Sequence, residues 1–442
     1  MNKSFISYLK ELINIAFPII IGNLGFMLIG IGDVLIAGRH STDTLAAISI
    51  ATAITNCIQI FGIGLIVSVS PLLSNYRGEK KNAKRYFYPT LRFSFVMAVI
   101  IMLAVLASIP LIDYLHFEQH LVPMIKEYIF VTAFATFGGY LHAAVKEFLQ
   151  AFEIVLVPNL LTGLAVILNV VLNIILVFGF GPIPSLGAVG LAIASLIVRY
   201  FMGIVLLIYC LSIMKFRNYK DFSYYISLIK IGIPISLAIL VEFVTFNSVS
   251  IILGRISGIY AAAQTLLCTF ANMTFMIPLA LSNAIAVKVG FANGAGNIKD
   301  LKKYSFVGIS VSVLFMMVCA LVYLSIPEIL IKLFTNDSEL IKITIPVLYI
   351  LAMFEVFDGL QVSLSGIFKG LKRTTVVLIS NMIGYWFIAI PLGILLAFKF
   401  RLSISGFWIG IAVASIVLCA LMGTMLKLHI NKLEYKHKFE SF

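Results

Sequence analysis

Charged residues are scarce in this chain of 442 residues, at 12% of the total, while 61% of the residues are hydrophobic. Soluble domains carry roughly 25% charged residues, so the chain has about half the charge that a water-facing surface needs. Its apolar runs are about 20 residues long, which is enough at 1.5 Å per residue to cross roughly 30 Å of hydrocarbon. The runs show no alternation of period 2, which excludes a transmembrane barrel. The sequence therefore predicts an all-α polytopic membrane protein.

Sequence motifs of enzymatic chemistry are also missing. The chain has no P-loop, no H-E-x-x-H, no G-x-S-x-G and no Gly-rich dinucleotide motif, so it is not expected to hydrolyse ATP itself. Its five cysteines are far apart, without C-x-x-C or Cys/His ligand spacing, and we interpret them as small apolar side chains. We expect no enzyme activity, and no cofactor apart from a transported Na⁺ or H⁺.

Long polar stretches are absent as well, so no sizeable soluble domain is expected. The segment before the first apolar run, MNKSFISYLKELINIAFP, lacks an A-x-A-type cleavage site and is predicted to form a short cytoplasmic helix that leads into the first span. Twelve spans are predicted in all. They cover residues 13–36, 45–71, 88–112, 122–145, 157–179, 187–210, 228–252, 260–285, 304–326, 341–365, 374–397 and 404–427.

Lysine and arginine are distributed unevenly between the two sides of these spans. If the N-terminus and the loops that follow even-numbered spans share one side, that side carries 24 of the 32 basic residues; the other side carries 7, and Arg199 lies within the sixth span. Because basic loops stay in the cytoplasm, both termini are predicted to be cytoplasmic. The net charge of +13 is then explained by topology, and no nucleic-acid partner is expected.

The two halves of the chain repeat each other. A shift of 216 residues matches Pro18 with Pro234 and Gly38-Arg39 with Gly254-Arg255, and the offset drifts to about 220 farther on. Each copy has six spans, so the second copy enters the membrane from the same side as the first, and the copies are parallel. We predict two six-helix lobes with a cleft between them. They cover residues 1–209 and 228–428, with a cytoplasmic linker at 210–227 and a short basic cytoplasmic tail at 429–442.

Among the acids inside predicted spans, the candidates for a function are Asp33, Glu242, Glu355 and Asp358. Each costs at least about 2.5–3.5 kcal/mol on insertion scales, so each calls for an explanation. By the repeat, Asp33 matches Val249 and Glu242 matches Phe26, whereas Asp358 matches a position between Gly139 and His142. Acids that served packing alone would be expected in both copies. Their asymmetry favours a function.

Glu242 and Asp358 are predicted to bind a coupling cation. Two carboxylates in a low-dielectric cavity can ligate Na⁺ through their oxygens, or one can hold a proton, because desolvation and a like charge both favour the protonated form. Glu355, three residues before Asp358, is either a partner of that pair or a polar residue turned toward a water-filled cavity. Glu355 and Phe354 are also placed in the predicted substrate cavity, where Phe354 could offer a ring face to a cation; for Phe354, packing against lipid is the favoured alternative.

Amides are the other candidates. Asn169 and Asn173, four residues apart on the fifth span, present two amides on one helix face, where they can bond a carboxylate or a cation; the alternative is helix–helix association. Gln264 in the eighth span either lines the substrate cavity or takes part in helix–helix association. Arg199 is expected to cap an internal carbonyl or an acid. His142 is a weak candidate for a proton relay.

Several of these segments together resemble one transporter family. The first span has P-x14-D-x4-G followed by LAA, and the second ends in SPLLSNYRGE. The segments IGIPISLAILVEFVTFNSVSIILG, AMFEVFDGLQVSLSGIFKG and LNVVLN contain Glu242, Asp358 and the asparagine pair. Across essentially the whole chain, this pattern resembles the MATE (multidrug and toxic compound extrusion) transporters, in particular their NorM-type branch.

The resemblance implies a twelve-helix antiporter that alternates between outward-open and inward-open V-shaped states and expels organic cations in exchange for Na⁺ or H⁺. It implies a second-lobe cation site at Glu242 and Asp358 and a first-lobe site at Asp33, Asn169 and Asn173. The chain has Phe354 where that branch often has Tyr, so one hydroxyl ligand is missing. We expect a monomer in the cell membrane.

Two alternatives remain at the level of the sequence. A lipid-linked saccharide flippase shares the wider superfamily architecture, but such proteins often have fourteen spans and a cationic cavity. A membrane scaffold or receptor that transports nothing would not need buried acids in both lobes.

Overall fold

The computed structural model describes residues 3–440 of the chain, and the side chains up to residue 435. The last two residues of the predicted basic tail, and the side chains of 436–440, lie outside this description. Within the described residues, twelve helices are long and apolar enough to cross a membrane, as predicted, and the one pairing of extended backbone is an isolated bridge between Phe180 and Ile183. The all-α membrane fold is confirmed.

We number the spanning elements α1 to α12 in chain order. They are α1 (Phe5–His40), α2 (Thr42–Gly78), α3 (Ala83–Tyr114), α4 (Val122–Ala151), α5 (Leu156–Phe178), α6 (Gly187–Ile213), α7 (Phe222–Ile256), α8 (Gly258–Gly294), α9 (Ile298–Ser325), α10 (Ser338–Gly370), α11 (Thr374–Lys399) and α12 (Ser403–Tyr435).

Most helices are longer than the predicted spans, chiefly at the ends that carry basic residues. Lys146, Lys288 and Lys369 were assigned to loops by the basic-residue count, but they lie in α4, α8 and α10, and the last two are each only 9% exposed. The predicted short helix before the first span is the start of α1 itself, which is continuous from Phe5. The predicted spans end where the apolar runs end. The helices themselves continue beyond those limits and include charged residues.

The described chain divides into two compact units. The first-half unit comprises Phe17–Tyr76 and Lys81–Ser236; the second-half unit comprises the chain from Leu237 onward, together with residues 3–16 and Arg77–Lys80. The linker and the first turns of α7 thus pack with the first-half unit, and the start of α1 packs with the second. The lobe limits expected from the repeat differ from these units at those places.

The packing order of the helices is repeated within each unit. In the first-half unit α4 packs on both α2 and α6, and in the second-half unit α10 packs on both α8 and α12. Glycines permit the closest of these approaches. A Cβ on Gly138 of α4 would lie 2.6 Å from the backbone nitrogen of Tyr200, and one on Gly366 of α10 would lie 2.4 Å from the carbonyl oxygen of Ser282.

The start of α1 is fixed to the second-half unit by an ionic cluster. Glu11 accepts a hydrogen bond from the Tyr304 hydroxyl and lies 3.3 Å from the Lys288 ammonium. The Tyr8 hydroxyl donates to Asp300 at 2.6 Å. These contacts explain why the first turns of α1 belong to the second-half unit.

Candidate functional site

Helices α7 and α10 bring three carboxyl groups of the second-half unit close together. Asp358 is 4% exposed and lies within electrostatic range of both Glu242 and Glu355. The predicted pair of Glu242 and Asp358 is thus brought together by the fold, with Glu355 one helical turn away. Because like charges repel strongly in a medium of low dielectric constant, this arrangement requires protons or a counter-cation.

Tyr385 of α11 joins the second-half carboxyl groups. Its side chain interacts electrostatically with Glu242 and Asp358, and its hydroxyl accepts a hydrogen bond from Gln361 Nε2 at 3.1 Å. The backbone around it, Met382–Ala389, is wound as a π-helix, and such turns are frequent at functional sites. Lys369 at the end of α10 is also within electrostatic range of Glu242, so it offsets part of the negative charge.

Glu355 has its own surroundings between α8 and α10. The hydroxyl of Thr274 donates to Glu355 Oε2 at 2.7 Å. Glu355 Oε1 is buried and has no hydrogen-bond partner among the described residues, and the residue is 1% exposed. This oxygen is therefore available to a proton or a cation.

The other two residues predicted for a substrate cavity pack around Trp408. Gln264 is fully buried, and its Oε1 accepts from Trp408 Nε1 at 2.8 Å. Phe354 meets the Trp408 ring edge-on, with centroids 5.9 Å apart, and also contacts Phe246. The favoured role of Phe354 in packing against lipid was wrong, because this ring is 3% exposed and lies in the core. Gln264, Phe354 and Glu355 are all buried within the second-half unit. Their contact with substrate stays a prediction.

In the first-half unit, α5 brings its asparagine pair to the acid of α1. Asn173 Nδ2 donates to Asp33 Oδ1 at 2.6 Å and to Asn169 Oδ1 at 3.1 Å. Ser195 of α6 donates to Asp33 Oδ2 at 3.5 Å. The three residues that the sequence singled out here are in direct contact, and Ser195 completes the group.

Arg199 acts on the same carboxylate from farther away. It is within electrostatic range of Asp33, and its Nη1 donates to Gln59 Oε1 at 3.2 Å. The expectation that Arg199 caps an internal carbonyl or an acid is confirmed. Asp33 thus lies in a polar network that extends over α1, α2, α5 and α6.

The second-half acids do not by themselves form a complete metal site. Among residues 3–435, no group of three or more His, Cys, Asp or Glu side chains is arranged to hold a metal ion. A Na⁺ at Glu242 and Asp358 would therefore take further oxygens from hydroxyls, amides or carbonyls, which suit it as a hard cation. Tyr385 and Gln361 are in place to supply them.

Several of these polar residues were not predicted from the sequence. Gln59 and Gln361 could have been found, since an amide inside an apolar span is itself unusual. Thr274 and Tyr385 carry no such signal, because both residue types are common in membrane helices. Only the fold shows that they face the acids.

The similarity to known proteins extends over nearly the whole chain. The family model described as MatE matches residues 18–175 and 234–395, one match in each half. A protein of Mesorhizobium japonicum named "Probable multidrug resistance protein NorM" is 29% identical, with 94% of this chain and 93% of that protein covered. A protein of the same name from Photorhabdus laumondii is 27% identical, with 95% of both covered.

Solved structures share the fold. A point mutant of the Vibrio cholerae MATE transporter VcmN superposes with a TM-score of 0.90 at 20% identity, with 97% of this chain and 98% of that chain covered. The eukaryotic MATE transporter AtDTX14 gives a TM-score of 0.86 at 22% identity, with 98% and 99% covered. At these identities the likeness concerns the fold alone.

Proposed function

The chain belongs to the MatE family, a family of membrane transporters rather than enzymes, and from that premise we propose that it exports amphipathic, mostly cationic organic compounds in exchange for Na⁺ or H⁺. Exchange proceeds by alternating access. The relatives named as multidrug resistance proteins support export of toxic compounds.

The observation that carries the proposal is that Asp358 is buried in the second-half unit within electrostatic range of both Glu242 and Glu355. Buried acids in a membrane helix are costly, and they mark ion and proton pathways. A coupling ion that binds there lowers the repulsion between the carboxylates, and its release restores that repulsion. The coupling ion and an organic cation therefore compete for the same negative charge. Competition of this kind is the basis of antiport.

Asp33 supplies a second carboxylate in the first-half unit. Its oxygens accept hydrogen bonds from Asn173 and Ser195, so side chains of α5 and α6 hold this carboxyl group in place. We assign Asp33, Asn169 and Asn173 to coupling-cation binding, alongside Glu242 and Asp358. Glu355, Phe354 and Gln264 are assigned to the wall of the substrate cavity.

The proposed orientation follows from the basic residues, and the proposed direction of transport from the inward gradient of the coupling ion. With 24 basic residues on the side of the termini against 7 on the other, both termini are cytoplasmic. Substrate moves outward across the cell membrane as the coupling ion moves inward. We propose that the protein works as a monomer in lipid, with no nucleic-acid partner and no cofactor besides the coupling ion.

The decisive experiment is ethidium efflux from de-energised cells under an imposed Na⁺ gradient and, separately, an imposed pH gradient. We expect one gradient to drive efflux by the wild type. Glu242→Gln, Asp358→Asn and Asp33→Asn should abolish it at normal membrane levels. Glu118→Gln removes an exposed acid and should transport as the wild type does.

Two results would count against the proposal. Efflux by the three variants at the wild-type rate would make the acids structural and the coupling mechanism wrong. A wild type that exports no ethidium under either gradient would favour a lipid-linked saccharide flippase of the same superfamily.

A further inference from the structure

The repeat relates the second-half acids to a different set of residues in the first half. A shift of 216 residues places Glu242 on Phe26, and with the drift of the offset Asp358 falls between Gly139 and His142. In the structure, Phe26 of α1 and His142 of α4 are indeed neighbours, with ring centroids 5.8 Å apart. The first-half unit therefore has an aromatic ring at the position of Glu242, and an imidazole within about one helical turn of the position of Asp358.

A positive charge completes this first-half group. Lys146 lies one turn beyond His142 on α4, and its ammonium is 5.5 Å from the centroid of the Phe26 ring. His142 and Lys146 are within electrostatic range of each other. Residues four apart share a helix face, so the imidazole and the ammonium both border the ring of Phe26.

His142 is the unusual member. It is 3% exposed, and its Nε2 is buried without a hydrogen-bond partner among the described residues. A buried polar atom of this kind costs free energy unless something satisfies it. Phe26 is 42% exposed, so its ring is accessible to a molecule that could also contact the neighbouring imidazole and ammonium.

We propose that Phe26, His142 and Lys146 form a binding site for the carboxylate of amphipathic substrates. The ammonium of Lys146 supplies the charge, the imidazole of His142 donates an N–H to the carboxylate, and Phe26 packs on the apolar body. This site rests on the proposed export function and assigns to Phe26, His142 and Lys146 the contacts with compounds that carry both an amine and a carboxylate.

Glu147 is a negatively charged neighbour of Lys146 that could compete with a substrate carboxylate. It lies within electrostatic range of Lys146, but adjacent residues on a helix point in different directions. Its carboxylate accepts from Gln150 Nε2 at 3.5 Å, and the same nitrogen donates to Ser70 at 3.2 Å. Glu147 is thus engaged toward α2, which leaves the side of Lys146 that borders Phe26 available to an anion.

A matched pair of dyes tests the site: a rhodamine with a free carboxylate, and the methyl ester of the same dye. The full chain in neutral phosphatidylcholine nanodiscs should bind both, as measured by fluorescence anisotropy. Lys146→Met and His142→Leu should weaken binding of the free acid about tenfold and leave the ester within about twofold. Lys146→Arg should retain binding of the acid, and Lys342→Met, at an exposed lysine, should change neither.

The results separate the site from the export function. Failure of the wild type to bind the ester in the discs, or to export it from cells, overturns the proposed function. Binding of the ester with no difference between wild type and Lys146→Met for the acid overturns the carboxylate site alone, as does equal weakening of both dyes. If phosphatidylglycerol discs weaken binding of the acid and Lys146→Met removes that effect, the site belongs to a lipid phosphate and its assignment to substrate is wrong.

Discussion

At Asp33 one carboxylate is held by side chains of two other helices. The shortest bond comes from Asn173 at 2.6 Å, and Ser195 donates at 3.5 Å to the other oxygen. A hydrogen bond to a charged group contributes about 1.5–3 kcal/mol. Asn173 therefore accounts for much of the polar stabilisation of Asp33.

We predict that Asn173→Leu lowers gradient-driven ethidium efflux about tenfold or more, because the charged carboxylate loses its shortest hydrogen bond. Efflux at equal membrane level is the measurement. Asn247→Leu is the control, since Asn247 is exposed and bonds only the Phe243 carbonyl of its own helix among the described residues. An unchanged rate in Asn173→Leu would show that this bond is dispensable for coupling.

Asp221 precedes the first residue of α7 and shows how the start of this helix is fixed. The Ser223 hydroxyl donates to Asp221 Oδ1 at 2.6 Å and the Ser223 amide at 3.0 Å, while the Tyr86 hydroxyl donates to Oδ2 at 3.1 Å. These bonds, that of the Ser223 hydroxyl first, hold the pKa of Asp221 below its ordinary value. A lowered pKa means that the carboxylate stabilises the folded chain above its unfolded pKa, and that this contribution disappears as the pH falls through the folded pKa.

We expect Asp221→Ala to lower the melting temperature of the detergent-solubilised protein at pH 7, because the folded state loses about 0.5–1 kcal/mol of stability with this partly exposed cap. The difference from the wild type should narrow below about pH 4, where the carboxyl of the unfolded chain is protonated. Thermal unfolding at both pH values measures this. A difference that persisted unchanged at low pH would mean that packing, not charge, is responsible.

Close helix approaches depend on glycine at the contact point. Because a Cβ on Gly366 would meet the Ser282 carbonyl at 2.4 Å, Gly366→Ala should force α8 and α10 apart at a cost of about 1–3 kcal/mol. Gly423→Ala in α12 meets nothing within 4 Å and should be neutral or slightly stabilising. Melting temperatures of the two variants in detergent decide this, and equal values would contradict the close contact.

Sequence analysis predicted the number and type of helices better than their ends or their polar partners. Apolar runs follow from the thickness of the membrane, so all twelve helices were predicted. The ends of α8 and α10 were not, because the end of an apolar run marks where the chain leaves the hydrocarbon and not where the helix ends, and both helices include the lysines Lys288 and Lys369. The i, i+4 spacing of Asn169 and Asn173 on α5 predicted that both amides share a helix face, and Asn173 indeed bonds Asp33. Tyr385, by contrast, lies in a π-helical segment near Glu242, and no sequence pattern predicts such a segment.

On the scale of the whole molecule, the distribution of basic residues predicts the orientation in the membrane. Green fluorescent protein fused to the C-terminus should fluoresce, and alkaline phosphatase in the same place should be inactive, because both termini are proposed to be cytoplasmic. Fusions after Ser257, which follows the odd-numbered α7, should show the reverse. Activity of C-terminal phosphatase would contradict the proposed orientation.

The ionic cluster at the start of α1 also sets an order of events during synthesis. Tyr8 and Asp300 are 292 residues apart in the chain, and ribosomes add about 5–20 residues per second, so about 15–60 s separate the appearance of the two partners. During that interval the first turns of α1 are made but have no native contacts with α8 and α9. Residues translated near the beginning are therefore among the last to reach their final neighbours, and the first turns of α1 stay exposed to proteases and chaperones until α9 has been made.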